Sequence, residues 1–185
     1  MVNLIKEIRI HGRGGQGNVT AGEFLAEAAF IDGLFAQAFP MFGSERHGAP
    51  VTAYVRISDK PIRKRSQIYE PDYLIVQDPS LFRGEDVLQG LKSGGLIVIN
   101  SSLKPEDFDI PYDYRVVTIP ATEIAIEILG KPIINTIMVG AFAGSSGEIS
   151  RNSLEKAVLK RYPGKLGEKE VEALRKAYEW AEVNK

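Results

Sequence analysis

The residues best suited to chemistry in this chain are the pattern Gly12-x-Gly14-x-x-Gly17 and, further along, Ser44-Glu45-Arg46-His47-Gly48. Glycines let a backbone approach a phosphate closely, and the free N–H groups and partial positive charge of a helix start stabilise its negative charge. Gln16, Asn18 and Thr20 add side-chain donors beside that loop. Arg46 offers a planar, charged fork suited to phosphate, while Ser44 and His47 offer hydrogen bonds at short range. The two segments together describe an anion cradle with a second wall. A structural reading competes with it: a tight strand-to-helix turn that binds nothing, with Arg46 paired to Glu45 or another neighbour and Arg13 a surface charge.

Other chemistries fit less well. A Walker-type loop needs Gly-Lys-Ser/Thr at the helix start, and here Gly17 is followed by Asn18-Val19. A dinucleotide fold wants an acidic residue closing the second strand, but that strand ends Phe39-Pro40-Met41, with Asp32 before it and Glu45 beyond it. Nicotinamide binding therefore stays open without support. Zero cysteine excludes disulfides, cysteine-ligated clusters, Cys-type zinc sites and a thiol nucleophile in this chain. His11 and His47 are the only histidines and no HExxH spacing exists, so no metal site is expected. Asp78, before Pro79, reads as a helix cap rather than a catalyst, and His11 as a satisfied structural residue rather than a base. Tyr112, Tyr114 and Trp180 read as packing area or contact surface. No catalytic acid or base is assigned.

The elements that must position these residues follow from apolar periodicity. Ile5 to Ile10 reads as a strand running into the glycine loop, and Gly17 to about Ile31 as a helix stopped by Asp32-Gly33. Leu34 to Phe39 is a second strand, closing a unit that crosses over between parallel strands. The loop from Pro40 to Pro50 leads to a strand over Val51 to Ile57, and it would lie at the carboxyl edge of the sheet, outside which ligands of open α/β sheets bind. Tyr73–Val76 and Leu96–Ile99 are continuous apolar runs, as in strands buried on both faces, with a helix near Ser80 to Leu91 between them. Arg115 to Ile119 is a further strand. Ala121 to Leu129 fits either a strand or a short helix, and the flanking Pro120 and Gly130 favour the helix. Pro132 to about Ala143 reads as a buried helix, and the chain closes with two amphipathic helices at about 151–161 and 168–183. The expected architecture is a Rossmann-like single α/β domain over 1–185, with a mainly parallel sheet flanked by helices.

Composition agrees with that class. The 185 residues carry 23 Lys+Arg against 24 Asp+Glu and are 44% hydrophobic, the make-up of one ordinary globular domain. A formal net charge of −1 supplies no general pull toward nucleic acid or an anionic membrane. No stretch approaches the ~20 apolar residues that cross a bilayer, and Met1 to Glu7 lacks a signal-type core, so a cytoplasmic location is expected.

Three segments in order resemble one known family, the gamma subunit of pyruvate and related 2-oxoacid ferredoxin oxidoreductases. They are Gly12-Arg13-Gly14-Gly15-Gln16-Gly17 continuing to Glu23, Phe42 to Val51, and Asn135-Thr136-Ile137-Met138-Val139-Gly140-Ala141. The resemblance covers nearly the whole chain, although many relatives read Gly-Pro-Glu-Arg-Arg-Gly where this chain has Gly43-Ser44-Glu45-Arg46-His47-Gly48. It implies a complex that decarboxylates a 2-oxoacid on thiamine diphosphate with magnesium, passes electrons through [4Fe-4S] clusters to ferredoxin, and delivers the acyl group to coenzyme A. The clusters and thiamine are implied to sit on alpha, beta and delta partner subunits, and this chain to help hold coenzyme A. On that implication Gly14, Gln16, Gly17 and Asn18 form one wall of the site, and Ser44, Arg46, His47 and Gly48 the other. The Arg46–Pro50 form points to pyruvate or a branched-chain 2-oxoacid. A stand-alone nicotinamide enzyme and a purely structural subunit are the contrasting possibilities.

Overall fold

The computed structural model describes residues 5–41 and 48–184. Six strands form one sheet: β1 (Ile5–Arg13), β2 (Phe35–Pro40), β3 (Pro50–Ser58), β4 (Tyr73–Val76), β5 (Leu96–Asn100) and β6 (Arg115–Ile119), in the order β2-β3-β1-β4-β5-β6. β1, β4, β5 and β6 are mutually parallel, as the continuous apolar runs of β4 and β5 predict for the centre of the sheet. β3 is antiparallel to β1 over nine pairs, from Ile5↔Ser58 to Arg13↔Pro50, and antiparallel to β2 on its other side. β2 therefore points the same way as β1, as the crossover unit requires. The two strands are not neighbours, because β3 returns between them.

The helices are α1 (Asn18–Ile31), α2 (Ala121–Leu129), α3 (Asn135–Ser146), α4 (Arg151–Arg161) and α5 (Lys165–Val183). Side chains alternate across a strand, and the buried residues divide accordingly. Ile8, Ile10, Val55, Ile75, Val98 and Val117 join one core with residues of all five helices, while Leu74, Val76, Ile97 and Ile99 face the opposite side. α3 is the centre of the helical layer and is buried from Asn135 to Ser145. It lies close on α5 because Gly140 and Gly144 present no side chain: a Cβ on Gly140 would come within 2.6 Å of the Leu174 carbonyl oxygen. Small residues at these positions set the helix spacing.

The opposite face is covered differently from expectation. The helix read near Ser80 to Leu91 is a five-residue 3-10 helix, Pro79–Arg83, followed by turns. Gly84 and Gly90 break the continuation; Gly90 sits at φ 72°, and a Cβ there would meet the Tyr69 carbonyl oxygen at 2.1 Å. Leu81, Val87 and Leu91 still reach the sheet, so irregular chain buries the apolar residues whose spacing resembled a helix. Among the described residues no helix is long and apolar enough to cross a membrane.

Candidate functional site

β1 runs on into the glycine loop because its ladder with the incoming chain does not stop at Arg13. The Gly14 N–H donates to the Ala49 carbonyl at 2.9 Å, and the Gly48 N–H donates to the Gly14 carbonyl at 3.2 Å. Gln16 closes the turn from both ends: its N–H donates to the Arg13 carbonyl at 3.0 Å, and its Oε1 accepts from the Arg13 N–H at 2.7 Å. Gly17 then takes the left-handed conformation, φ 75° and ψ 32°, and α1 begins with no side-chain cap and no acidic residue in its first turn. The first-turn N–H groups that lack an intrahelical acceptor, at Asn18, Val19 and Thr20, are thus left for another acceptor. Aligned N–H groups at a helix start favour an anion.

A second helix start converges on the same point. α3 opens at Asn135, whose Oδ1 accepts from the Thr136 N–H at 2.9 Å, and a Cβ on Gly17 would lie 2.8 Å from Asn135 Nδ2. Glycine at position 17 is therefore required twice, by the left-handed backbone and by the approach of α3. Thr136 Oγ1 donates to the buried Glu170, which ties the start of α3 to α5. Burial pushes the Glu170 carboxyl up, against the opposing pull of that hydrogen bond.

Beneath the loop, polar side chains link the carboxyl ends of the parallel strands. Asn18 Nδ2 donates to the Val51 carbonyl at 3.3 Å, and its Oδ1 accepts from Gln77 Nε2. Asn100 Nδ2 donates onward to the Gln77 carbonyl and to Thr122 Oγ1, each at 3.0 Å. Gly12 makes room for this chain, since a Cβ there would come within 2.3 Å of Asn18 Oδ1. Gln77 Oε1 is sealed from solvent with no partner.

Arg13 turns to the other face. Its Nε donates to Asp78 Oδ2 at 2.8 Å, and its two terminal nitrogens to the Gly48 carbonyl at 3.1 Å and Ser80 Oγ at 2.8 Å. Asp78 caps the 3-10 helix by accepting from the Ser80 N–H at 2.9 Å, the role read from the sequence. Burial alone would raise its carboxyl, but the hydrogen bonds from Ser80 and Arg13 outweigh that and hold it below the usual carboxylate range. Arg13 is thus a brace between the glycine loop and its neighbours rather than a free surface charge. His11 also departs from expectation: its Nε2 is buried without a hydrogen-bond partner, so the residue is not satisfied. Burial, with a smaller push from Arg9, lowers the His11 imidazole to about 3, and it is neutral near pH 7.

The structure therefore brings together Gly14, Gln16, Gly17, Asn18 and Gly48. Ser44, Arg46 and His47, together with Glu45, lie outside the described residues. The Gly14 N–H is occupied by β3-side pairing and the Asn18 side chain by the framework, which leaves the backbone of Gly15 and of residues 17–20 as the face a ligand would meet. Asp32 sits elsewhere, accepting from Ser150 and Ser153 at the start of α4. Asn135 and Gln77 carry no signal of their own in the sequence, although Asn135 opens one of the segments quoted above. Tyr112 is fully exposed, Tyr114 donates to the Leu91 carbonyl, and Trp180 donates to the Thr118 carbonyl. A cavity of about 840 Å³ between Pro105 and Val116 is lined by Glu106, Asp107 and Asp109, whose charge repels an anion. Among the described residues no group of three or more His, Asp and Glu side chains is placed to hold a metal.

Comparison with known proteins adds three findings. The family model described as pyruvate ferredoxin/flavodoxin oxidoreductase matches residues 7–180. Pyruvate synthase subunit PorC of Methanothermobacter thermautotrophicus is 56% identical over 173 residues, covering 94% of each chain. Among solved structures, pyruvate oxidoreductase subunit PORC of Thermotoga maritima superposes with a TM-score of 0.84 at 32% identity, over 95% of this chain and 96% of its own. The 2-oxoglutarate:ferredoxin oxidoreductase of Magnetococcus marinus, solved with 2-oxoglutarate, coenzyme A and succinyl-CoA bound, shares the fold at a TM-score of 0.80 and 22% identity, over 97% of this chain and 31% of that one.

Proposed function

Because the chain belongs to the pyruvate ferredoxin/flavodoxin oxidoreductase family, as a gamma-type subunit of a 2-oxoacid oxidoreductase, we propose that its glycine loop holds the phosphates of coenzyme A. The carrying observation is the convergence of two helix starts, α1 without a cap and α3 at Asn135, on the left-handed Gly17. Such a cradle fits a multiply charged phosphate ligand better than a neutral one. The N–H groups of residues 17–20 bind and orient the ligand; Gln16 and Arg13 hold the loop in shape. Ser44, Arg46 and His47 supply the second wall on this reading, which draws support from Gly48, next in sequence, whose N–H donates to the Gly14 carbonyl. Coenzyme A supplies the thiol that accepts the acyl group.

The complete enzyme, on this reading, is cytoplasmic and contains alpha, beta and delta subunits. These carry thiamine diphosphate, magnesium and [4Fe-4S] clusters, and ferredoxin takes the electrons. A chain without cysteine cannot ligate such clusters through thiolate, so they belong to other polypeptides. Pyruvate is the first choice of 2-oxoacid, from the names of the relatives, with a branched-chain oxoacid second. This chain alone is inactive. Nicotinamide binding gains no support from Asp32, one of the two acidic residues flanking the second strand, since its carboxylate is committed to the start of α4.

One observation favours the purely structural reading: packing against Asn18 and Asn135 already requires glycine at positions 12 and 17. Kinetics of the assembled complex separate the two. Arg46→Ala should raise the coenzyme A KM tenfold or more, from loss of a charge-assisted contact worth about 1.5–3 kcal/mol. Gly17→Val should raise it as well, while single-turnover cluster reduction by the oxoacid without coenzyme A survives. Unchanged coenzyme A dependence in both variants would identify the loop as a packing turn.

A further inference from the structure

The two edges of the sheet, β2 and β6, differ in how they are protected. On β6 the Trp180 Nε1–H donates to the Thr118 carbonyl at 3.0 Å, so α5 covers that edge. β2 has no charged residue, and each of its six residues is at least partly exposed. Edge strands of isolated proteins are normally blunted by charge, proline, a bulge or a covering segment. β2 has a proline only at its end, Pro40, and among the described residues the one side-chain tie of its middle is from Gln37 to the Ile62 carbonyl, which leaves the outward backbone of Ala36 and Ala38 open. Here Phe35 is 45% exposed, and Phe30, at the end of α1 beside the strand, is 75% exposed.

Backbone parity identifies the unpaired groups. The β2–β3 register runs from Phe35↔Ser58 to Pro40↔Ala53, and the Met41 N–H donates to the Thr52 carbonyl in continuation of it. Alternate residues of an antiparallel strand bond to one neighbour. Phe35, Gln37, Phe39 and Met41 therefore bond to β3, and Ala36, Ala38 and Pro40 turn outward. Pro40 has no N–H, and the Leu34 N–H is spent on the Ala29 carbonyl. The edge thus offers a complete donor and acceptor only at Ala36 and Ala38.

The strand also reads the same in both directions: Phe35-Ala36-Gln37-Ala38-Phe39. We propose that β2 pairs antiparallel with β2 of a second copy of this chain, about a two-fold axis at Gln37, joining the two sheets edge to edge. That centre alone sets Ala36 of each copy opposite Ala38 of the other, so that both free backbone pairs on each strand are used. Centring on Ala36 or Ala38 leaves one of them facing a spent or missing donor. On one face Phe35 of each copy meets Phe39 of the other, while each Gln37 amide beside the axis stays with its own chain, donating to the Ile62 carbonyl at 3.2 Å. Phe39 already contacts the Tyr54 ring at 5.2 Å and lies under the Arg56 guanidinium at 5.3 Å, so the aromatic row continues across the axis. On the other face the small Ala36 and Ala38 leave room for α1 and the exposed Phe30. Pro40 ends the ladder, and the contact is closed and isologous.

The chain has no natural cysteine, so single thiols report cleanly. Gln37 pairs with itself at a non-hydrogen-bonded position, where Cα atoms are about 4.5 Å apart, within reach of a disulfide. Mild oxidation of the full chain carrying Gln37→Cys should give a covalent two-chain species, whereas Phe35→Cys, placed far from its own copy, should not. The unmodified chain should show twice its 20.4 kDa mass by light scattering at micromolar concentration. Ala38→Pro, which deletes one outward N–H at an edge position that tolerates proline, should return it to a single-chain mass with little change in Tm. A single-chain mass for the unmodified protein overturns the proposal. So does failure of Gln37→Cys to cross-link, or equal cross-linking from position 35, whether or not the proline variant folds.

Discussion

Replacing Gly17 by Ala separates the two demands on that residue. Its backbone is left-handed, where an L-residue costs about 1–2 kcal/mol. The new methyl group would also stand 2.8 Å from Asn135 Nδ2, so the Asn135 amide must move and release the Thr136 N–H, a further ~0.5–1.5 kcal/mol for one hydrogen bond. Melting of the variant should therefore fall by roughly 5–10 °C for a domain of this size. Asn135→Ala removes the obstacle but not the backbone strain. In that background the cost of Gly17→Ala should shrink to the backbone part alone, a coupling of about 0.5–1.5 kcal/mol between positions distant in sequence. Calorimetric or circular-dichroism melting of the four proteins in the cycle measures this. An unchanged Tm for Gly17→Ala, or strict additivity with Asn135→Ala, would refute the reasoning that α1 and α3 meet at Gly17.

His11 predicts a pH dependence. Its folded pKa of about 3 lies below the ordinary 6.5, so the unfolded chain takes up a proton that the native state refuses. Stability should fall as pH drops below 6.5, by up to about 1.4 kcal/mol per pH unit, and urea melts of His11→Gln between pH 6.5 and 4.5 should lose that share of the slope. Glu170 has the opposite sign: burial raises its pKa, so its contribution is lost as pH rises above the ordinary carboxylate range. Glu170→Gln should gain Tm relative to the parent chain between pH 5 and 8, with both melted side by side. Asp78→Asn keeps an acceptor for the Ser80 N–H but takes the carboxylate from Arg13, costing about 1 kcal/mol at neutral pH for a partly exposed pair. Because the Asp78 pKa is depressed, that difference should vanish as the parent chain is titrated below its ordinary carboxylate range.

The legible parts of this fold are those where local signals agree. Leu96–Ile99 is a continuous apolar run, and Ala121–Leu129 is bracketed by Pro120 and by Gly130, which closes the helix at φ 71°. The return of β3 between β1 and β2 is not legible, because strand order depends on which edges pair and not on the pattern within a strand. The segment from Ser80 to Leu91 misleads for a related reason: its apolar spacing suits burial, while Gly90 is shaped by the Tyr69 carbonyl from another segment. At the site, the glycine pattern shows where a phosphate could approach. That Asn18 faces inward to Gln77, and that Asn135 packs against Gly17, are products of tertiary approach and leave no local trace.

Amide hydrogen exchange of the assembled oxidoreductase, with and without coenzyme A, tests the central claim most directly. Free first-turn N–H groups exchange readily, and capture by phosphate slows them. Saturating coenzyme A should protect the amides of residues 15–20 and the start of α3 at 135–137, and Arg46→Ala should shift that protection to higher ligand concentration. Protection confined to other subunits, with residues 15–20 unchanged, would contradict it.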